Sequence, residues 1–213
     1  MFGQSTGFTI KGYSFGEDLA QVLTKSGEPD RLAFCRDYMA THKLKEFSSE
    51  LEKVMSELKQ SKKERDTATT ISLCQPVLQA AQNAYAEVML KGGGIAIFDA
   101  GKLVGFELLF LNVLRNASEQ VPYEKIIADA INKYGEPTKQ GTTTWENAFG
   151  ATLHPRYAVW IRENTIVYVE EDAKTFNDIS NRPANVTVTA ALKSAIEHVR
   201  KEAVGGPNVL DAK

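Results

Sequence analysis

The sequence predicts an α+β protein of two tandem helix-plus-antiparallel-meander repeats, with a helical hairpin inserted in the first and a C-terminal helix closing the chain. Two repeated patterns carry that reading. A Gly-Glu-Pro tripeptide occurs at 27–29 and again at 135–137, each time ending a similar amphipathic segment, FGEDLAQVLTKSGEP and YEKIIADAINKYGEP. A strand–turn–strand pattern also occurs twice, starting at Ile95 and at Ala158. The tripeptides lie 108 residues apart and the strand pairs 63 apart, so the first copy carries an insertion of about 45 residues. Each copy reads as one supersecondary unit.

In the first segment Leu19, Val22 and Leu23 share a helical face, and Ile127, Ala130, Ile131 and Tyr134 do so in the second. Gly27 and Gly135 stand where a helix ends in a left-handed turn, and the proline two residues on blocks its resumption. The tripeptide is therefore a helix stop. By the register of the second copy, the first strand of the first unit lies between Pro29 and His42. The insertion spans about 43–91. In it Leu44, Phe47, Leu51, Val54 and Leu58 alternate steps of three and four, as in an amphipathic helix ending at the polar run SKKERD. After a threonine-rich break, a second helix runs from Pro76, near its first turn, to about Met89. Lys91 and the three glycines after it turn that helix into the first strand pair, 95–98 and 103–106, joined by Asp-Ala-Gly-Lys.

A strand over 106–113 finishes the first unit. In the second copy, TTTWEN (142–147) is β-prone and precedes the pair 158–161 and 166–169. A last helix over about 188–203 buries Leu192, Ala195, Ile196 and Val199, and the final residues fray. The units thus run 1–113 and 114–172, with 173–213 as linker, helix and tail.

At 43% hydrophobic and 24% charged residues, the 213-residue chain has the make-up of a globular protein able to bury a core. A formal charge of −2 provides no field to recruit nucleic acid or an anionic membrane. No apolar run approaches the roughly 20 residues that span a bilayer. The start, MFGQSTGF, lacks the basic-then-apolar pattern of a signal peptide, which fits a cytoplasmic protein or a mature exported one equally. Cys35 and Cys74 are the only cysteines. They read either as buried free thiols of a cytosolic protein or as a disulfide of an exported one.

No motif points to catalysis, a cofactor or a metal. His42, His154 and His198 have neither HExxH nor CxxC spacing around them. A Cys35–His42 nucleophile would need a third, positioning group. The glycines at 92–94 follow a helix and precede a strand, the reverse of a phosphate-binding loop. Lys59, Lys62, Lys63 and Arg65 are interrupted by Glu57, Glu64 and Asp66, as on a solvated helix end. One surface suggests binding. Alternation places Val159, Ile161, Val167 and Val169 on a core face, and Arg156, Trp160, Arg162 and Tyr168 on the opposite one. Aromatics beside arginines suit a protein-binding face, unless a helix covers it.

A helix ending in Gly-x-Pro, a Trp-bearing strand (TTTWEN) and a strand–turn–strand resemble the BamE/SmpA-like lipoprotein domain and the tandem repeats of the β-lactamase inhibitor protein. The resemblance covers roughly 8–38 and 92–172. The chain departs from it in having Asp37 where the second copy has Trp145, and in lacking a lipobox cysteine at its start. No functional residue carries over. The resemblance implies an exported, periplasmic or secreted, non-catalytic binding or assembly module of the bacterial envelope, and it favours the disulfide. The expected partner is a protein or small ligand held on the sheet face. The alternatives are a small-molecule-binding protein or enzyme with a pocket between the inserted helices and the sheet, and a structural domain whose inserted helices make a homodimer.

Overall fold

A computed structural model describes residues 9–41, 62–112, 117–146, 150, 152–172 and 184–195. The fold is α+β with an antiparallel sheet. It divides into a unit of Lys11–Leu103 and one of Val104–Lys213 joined by Met1–Ile10. Among the described residues no helix is long and apolar enough to cross a membrane.

In the Lys11–Leu103 unit, α1 (Leu19–Lys25) opens on a capping box: Asp18 accepts the Gln21 N–H and Gln21 accepts the Asp18 N–H, each at 2.9 Å. Leu19, Val22 and Leu23 are buried, as their spacing requires. The helix stops at Gly27, φ +75°. There the Glu28 N–H reaches the Leu23 carbonyl at 2.8 Å and the Gly27 N–H reaches Thr24 at 3.1 Å, a Schellman turn.

The next segment corrects the sequence reading. Instead of a strand before His42, Arg31–Thr41 is a helix, α2. Leu, Ala, Arg and Met favour a helix, and the Asp30 carbonyl accepts the Phe34 N–H at 2.9 Å. Cys35 is its sole buried side chain, so periodicity had no apolar stripe to detect.

Helix α3 (Lys62–Ala81) absorbs the expected threonine break and carries Pro76 deep in its interior, not in a first turn. Thr70 donates its hydroxyl back to the Asp66 carbonyl at 2.9 Å, which reconciles it with a helix. Ile71, Cys74, Val77 and Ala80 are buried along one side. The helix ends eight residues before Met89. Asn83 takes φ +60°, and the Ala84 N–H returns to Gln79 at 3.0 Å, a second Schellman turn with Asn in place of Gly.

The residues expected to continue that helix form β1 (Ala86–Met89). It pairs antiparallel with β2 (Ile95–Asp99), so the glycines at 92–94 join two strands and not a helix to a strand. Ala100 and Gly101, both at positive φ, then make the two-residue turn into β3 (Lys102–Phe110). Leu103 exchanges backbone hydrogen bonds with Gly16 and Glu17, at 2.8 Å each, and ties the loop before α1 to this strand.

In the second unit β3 continues into a ladder of order β3-β9-β8-β7-β4, every pairing antiparallel. Here β4 is Lys139–Thr142, β7 Arg156–Ile161, β8 Thr165–Glu171 and β9 Val186–Leu192. The strand expected at TTTWEN lies earlier, in β4. Trp145–Glu146 (β5) pairs separately with Thr152–Leu153 (β6). The expected last helix is corrected as well. Residues 186–192 form β9, whose β-branched run (VTVT) suits a central strand. Helix α4 (Tyr123–Tyr134) packs on the sheet and ends at Gly135, φ +74°, so both copies of the tripeptide do stop a helix. The expected helix over 44–58, His42, His198 and the chain from Ile196 on lie outside the described residues.

Candidate functional site

The four residues expected on a binding face do not share an exposed surface. Strand register decides this. Trp160 stands opposite Val167 and Ala158 opposite Val169, so these four occupy one face, with Arg156 and Glu171 at its end. Tyr168 stands opposite Val159 on the other face and stacks on Tyr157, with centroids 6.1 Å apart. The sequence reading had joined Val167 and Val169 to the face of Val159, one position out of phase. Trp160 is fully buried and Tyr168 is 2% exposed. The Trp160 indole N–H donates to the Gly135 carbonyl at 2.7 Å, and its ring meets Tyr134 edge-on at 6.3 Å. Trp160 is thus an anchor for the end of α4. Arg162 donates to the Tyr134 carbonyl at the same corner.

Arg156 is also spent internally. Its guanidinium grips Glu171 with two bonds, of 3.0 and 2.7 Å, while its own backbone N–H donates to the same carboxylate at 2.8 Å. It reaches Glu124 at 2.5 Å and lies 4.5 Å over the ring of Tyr123. The hydrogen bond from Arg156 lowers the Glu124 pKa. Burial, then the Glu171 charge, raises that of Tyr123. Arg156 is itself held more firmly protonated by its bond to Glu171. The cluster is a clamp joining α4, β7 and β8.

An open surface with binding character lies in the other unit. Cys35 of α2 and Cys74 of α3 form a disulfide, with Cα atoms 5.2 Å apart, beneath a groove of about 640 Å³. Three large apolar side chains line it while remaining exposed: Phe34 (53%), Leu73 (41%) and Met89 (54%). They come from α2, α3 and β1, which Arg31 ties together by donating to the backbone carbonyls of both Met89 (2.5 Å) and Leu73 (3.1 Å). Glu28 pairs with Arg31 at 3.3 Å and accepts the Lys91 N–H at 2.9 Å. The first tripeptide therefore does more than stop a helix, since Gly27, Glu28 and Pro29 line the groove.

Sequence reasoning paired the cysteines as one of two alternatives but missed Phe34, Leu73 and Met89. It had Phe34 in a strand and Met89 in a helix. Among the described residues, no cluster of three or more His, Cys, Asp or Glu is disposed to hold a metal ion. His154 is exposed in its loop. No family model, curated protein or solved structure matches the chain.

Proposed function

We propose that the protein is a non-catalytic binding module of an oxidising, extracytoplasmic compartment, and that it holds an apolar side chain of a partner protein in the groove between α2, α3 and β1. One observation carries the reading. Of the six large apolar side chains exposed among the described residues, three line this single groove. Scattered exposed apolar residues are ordinary, whereas clustered ones mark contact sites.

The chemistry favours a protein anchor over a polar small molecule. Small-molecule sites fix their ligand with a few convergent polar groups. Here the Arg31 guanidinium and Glu28 carboxylate are engaged with each other and with the surrounding backbone. Apolar walls beside this engaged ion pair suit an aliphatic or aromatic anchor. The disulfide supports the compartment, since such bonds persist where thiols are not kept reduced. The resemblance to BamE/SmpA-like envelope modules supports it too.

The uncovered parts of the three side chains total roughly 250–300 Å², a gross gain of about 6–9 kcal/mol. Association costs at least about 4 kcal/mol, which leaves about 5 kcal/mol at most, so the groove alone gives an affinity of about 0.2 mM at best. A direct test is titration with the apolar dye bis-ANS. Phe34→Ser and Met89→Ser should each weaken dye binding about tenfold, while Leu109→Ser and Ile161→Ser, at exposed apolar sites elsewhere, should not. Equal binding by all four variants would refute the groove.

A further inference from the structure

We propose that α2 is a redox-released flap: the Cys35–Cys74 bond holds it against α3, and reduction lets it swing out and dismantles the groove. The second half of this inference rests on the groove reading; the first half stands on the packing.

The two sides of the disulfide are rooted very differently. Helix α3 buries Ile71, Val77 and Ala80 besides Cys74, and keeps its place without the bond. Of the 11 residues of α2, only Cys35 is buried. Leu32, Tyr38 and Met39 are half-buried, and Phe34 is more than half exposed. Besides the disulfide, Arg31, the first residue of α2, grips Glu28, Met89 and Leu73. That attachment acts at one end, beside the turn of Gly27 and Pro29, which is where a flap pivots. An isolated helix of this length is marginal in water, so a released α2 has little to keep it folded.

The chemistry needs a dithiol reductant. One of its thiolates attacks a protein Sγ, breaking the Sγ–Sγ bond and forming a mixed disulfide. Its second thiol then displaces the protein sulfur. Two electrons pass to the protein, Cys35 and Cys74 end as thiols carrying the two protons the reductant gave up, and the reductant leaves as its own disulfide. Both cysteines lie on the groove floor and are at most 2% exposed, so the reductant approaches through the groove. An occupant there should slow reduction, and reduction should expel the occupant, the reciprocity that linked equilibria require.

The test is hydrogen–deuterium exchange on the full chain before and after dithiothreitol, with thiol titration to establish that both sulfurs are reduced. Exchange in 31–41 should quicken at least about tenfold, while α1, β1 and β2 stay within about twofold. Bis-ANS binding should be lost in parallel. Unchanged exchange in 31–41 overturns the flap, because other contacts then hold α2. Faster exchange throughout 11–103 overturns it too, because the bond is then a staple for the whole unit. If the oxidised chain never binds the dye, the groove reading fails, and the exchange pattern alone still decides the flap. The variant Cys35→Ala/Cys74→Ala should reproduce the reduced pattern. Should it fail to fold, the flap is equally overturned.

Discussion

Removing Arg156 should be far more damaging than its half-exposed position suggests, and the damage should be repairable at a second site. The Glu171 side chain is 4% exposed, and its carboxylate takes three hydrogen bonds from Arg156. Arg156→Met keeps the apolar stem over Tyr123 but leaves a buried carboxylate unpaired, at a cost of about 3–5 kcal/mol. Glu171→Gln is milder, at about 1–2 kcal/mol, since the amide oxygen still accepts the Arg156 backbone N–H and Arg156 keeps Glu124. In the double variant the buried charge is gone, so it should be more stable than Arg156→Met alone by about 1–2 kcal/mol. The assay is urea unfolding followed by Trp160 fluorescence in a Trp145→Phe background, where the buried indole is the one remaining tryptophan. A double variant as unstable as the sum of the two single ones would refute the account of Glu171 as a charge tolerated through Arg156.

Other expectations follow from the same geometry. Asn112 is fully buried, donates to the Val121 and Ala184 carbonyls at 2.8 and 2.7 Å, and accepts the Val121 N–H. Asn112→Leu strands those groups and should cost about 2–4 kcal/mol by urea unfolding; a loss below about 1 kcal/mol would show that the loops find other partners. Gly27→Ala and Gly135→Ala force a side chain into left-handed backbone at +75° and +74°. Each should cost about 1–2 kcal/mol, read as a lowered melting temperature, and an unchanged one would mean that neither turn is under that constraint. The lowered pKa of Glu124 contributes stability that is present above the ordinary carboxylate range and lost as pH falls through the folded value. Wild type should therefore exceed Glu124→Gln at neutral pH, the gap closing as pH falls below the ordinary carboxylate range; a gap unchanged with pH would remove the ion pair as its cause.

The legible parts of the fold were those with strong local signals. Helices α1 and α4 announce themselves through apolar steps of three and four and through glycine stops, and the Ala100–Gly101 turn through its need for positive φ. Helix α2 was illegible because Cys35 is its sole buried residue, which leaves no apolar stripe for periodicity to detect. The end of α3 was missed because Asn83 does the work expected of a glycine, and β1 is only four residues long. The face assignment failed on parity. Ile161 pairs with Ile166, and the pairing between β7 and β8 follows from that turn. A one-residue error in register moves every side chain of a strand to the other face, and the sequence marks both phases as apolar. The groove could not be read at all, since Phe34, Leu73 and Met89 are distant in the chain and come together only in the folded unit.

The outer strand β4 carries a further consequence. Its four residues, KQGT, are half-buried to exposed, and Gly141 lies close to the Tyr157 ring, where a Cβ would come within 3.3 Å of the hydroxyl oxygen. A margin so short, polar and glycine-broken is a poor template for another chain's backbone. The ladder therefore has a built-in terminus on that side, which favours colloidal stability at high concentration and directs self-association, where it occurs, to side-chain surfaces instead of strand-to-strand growth.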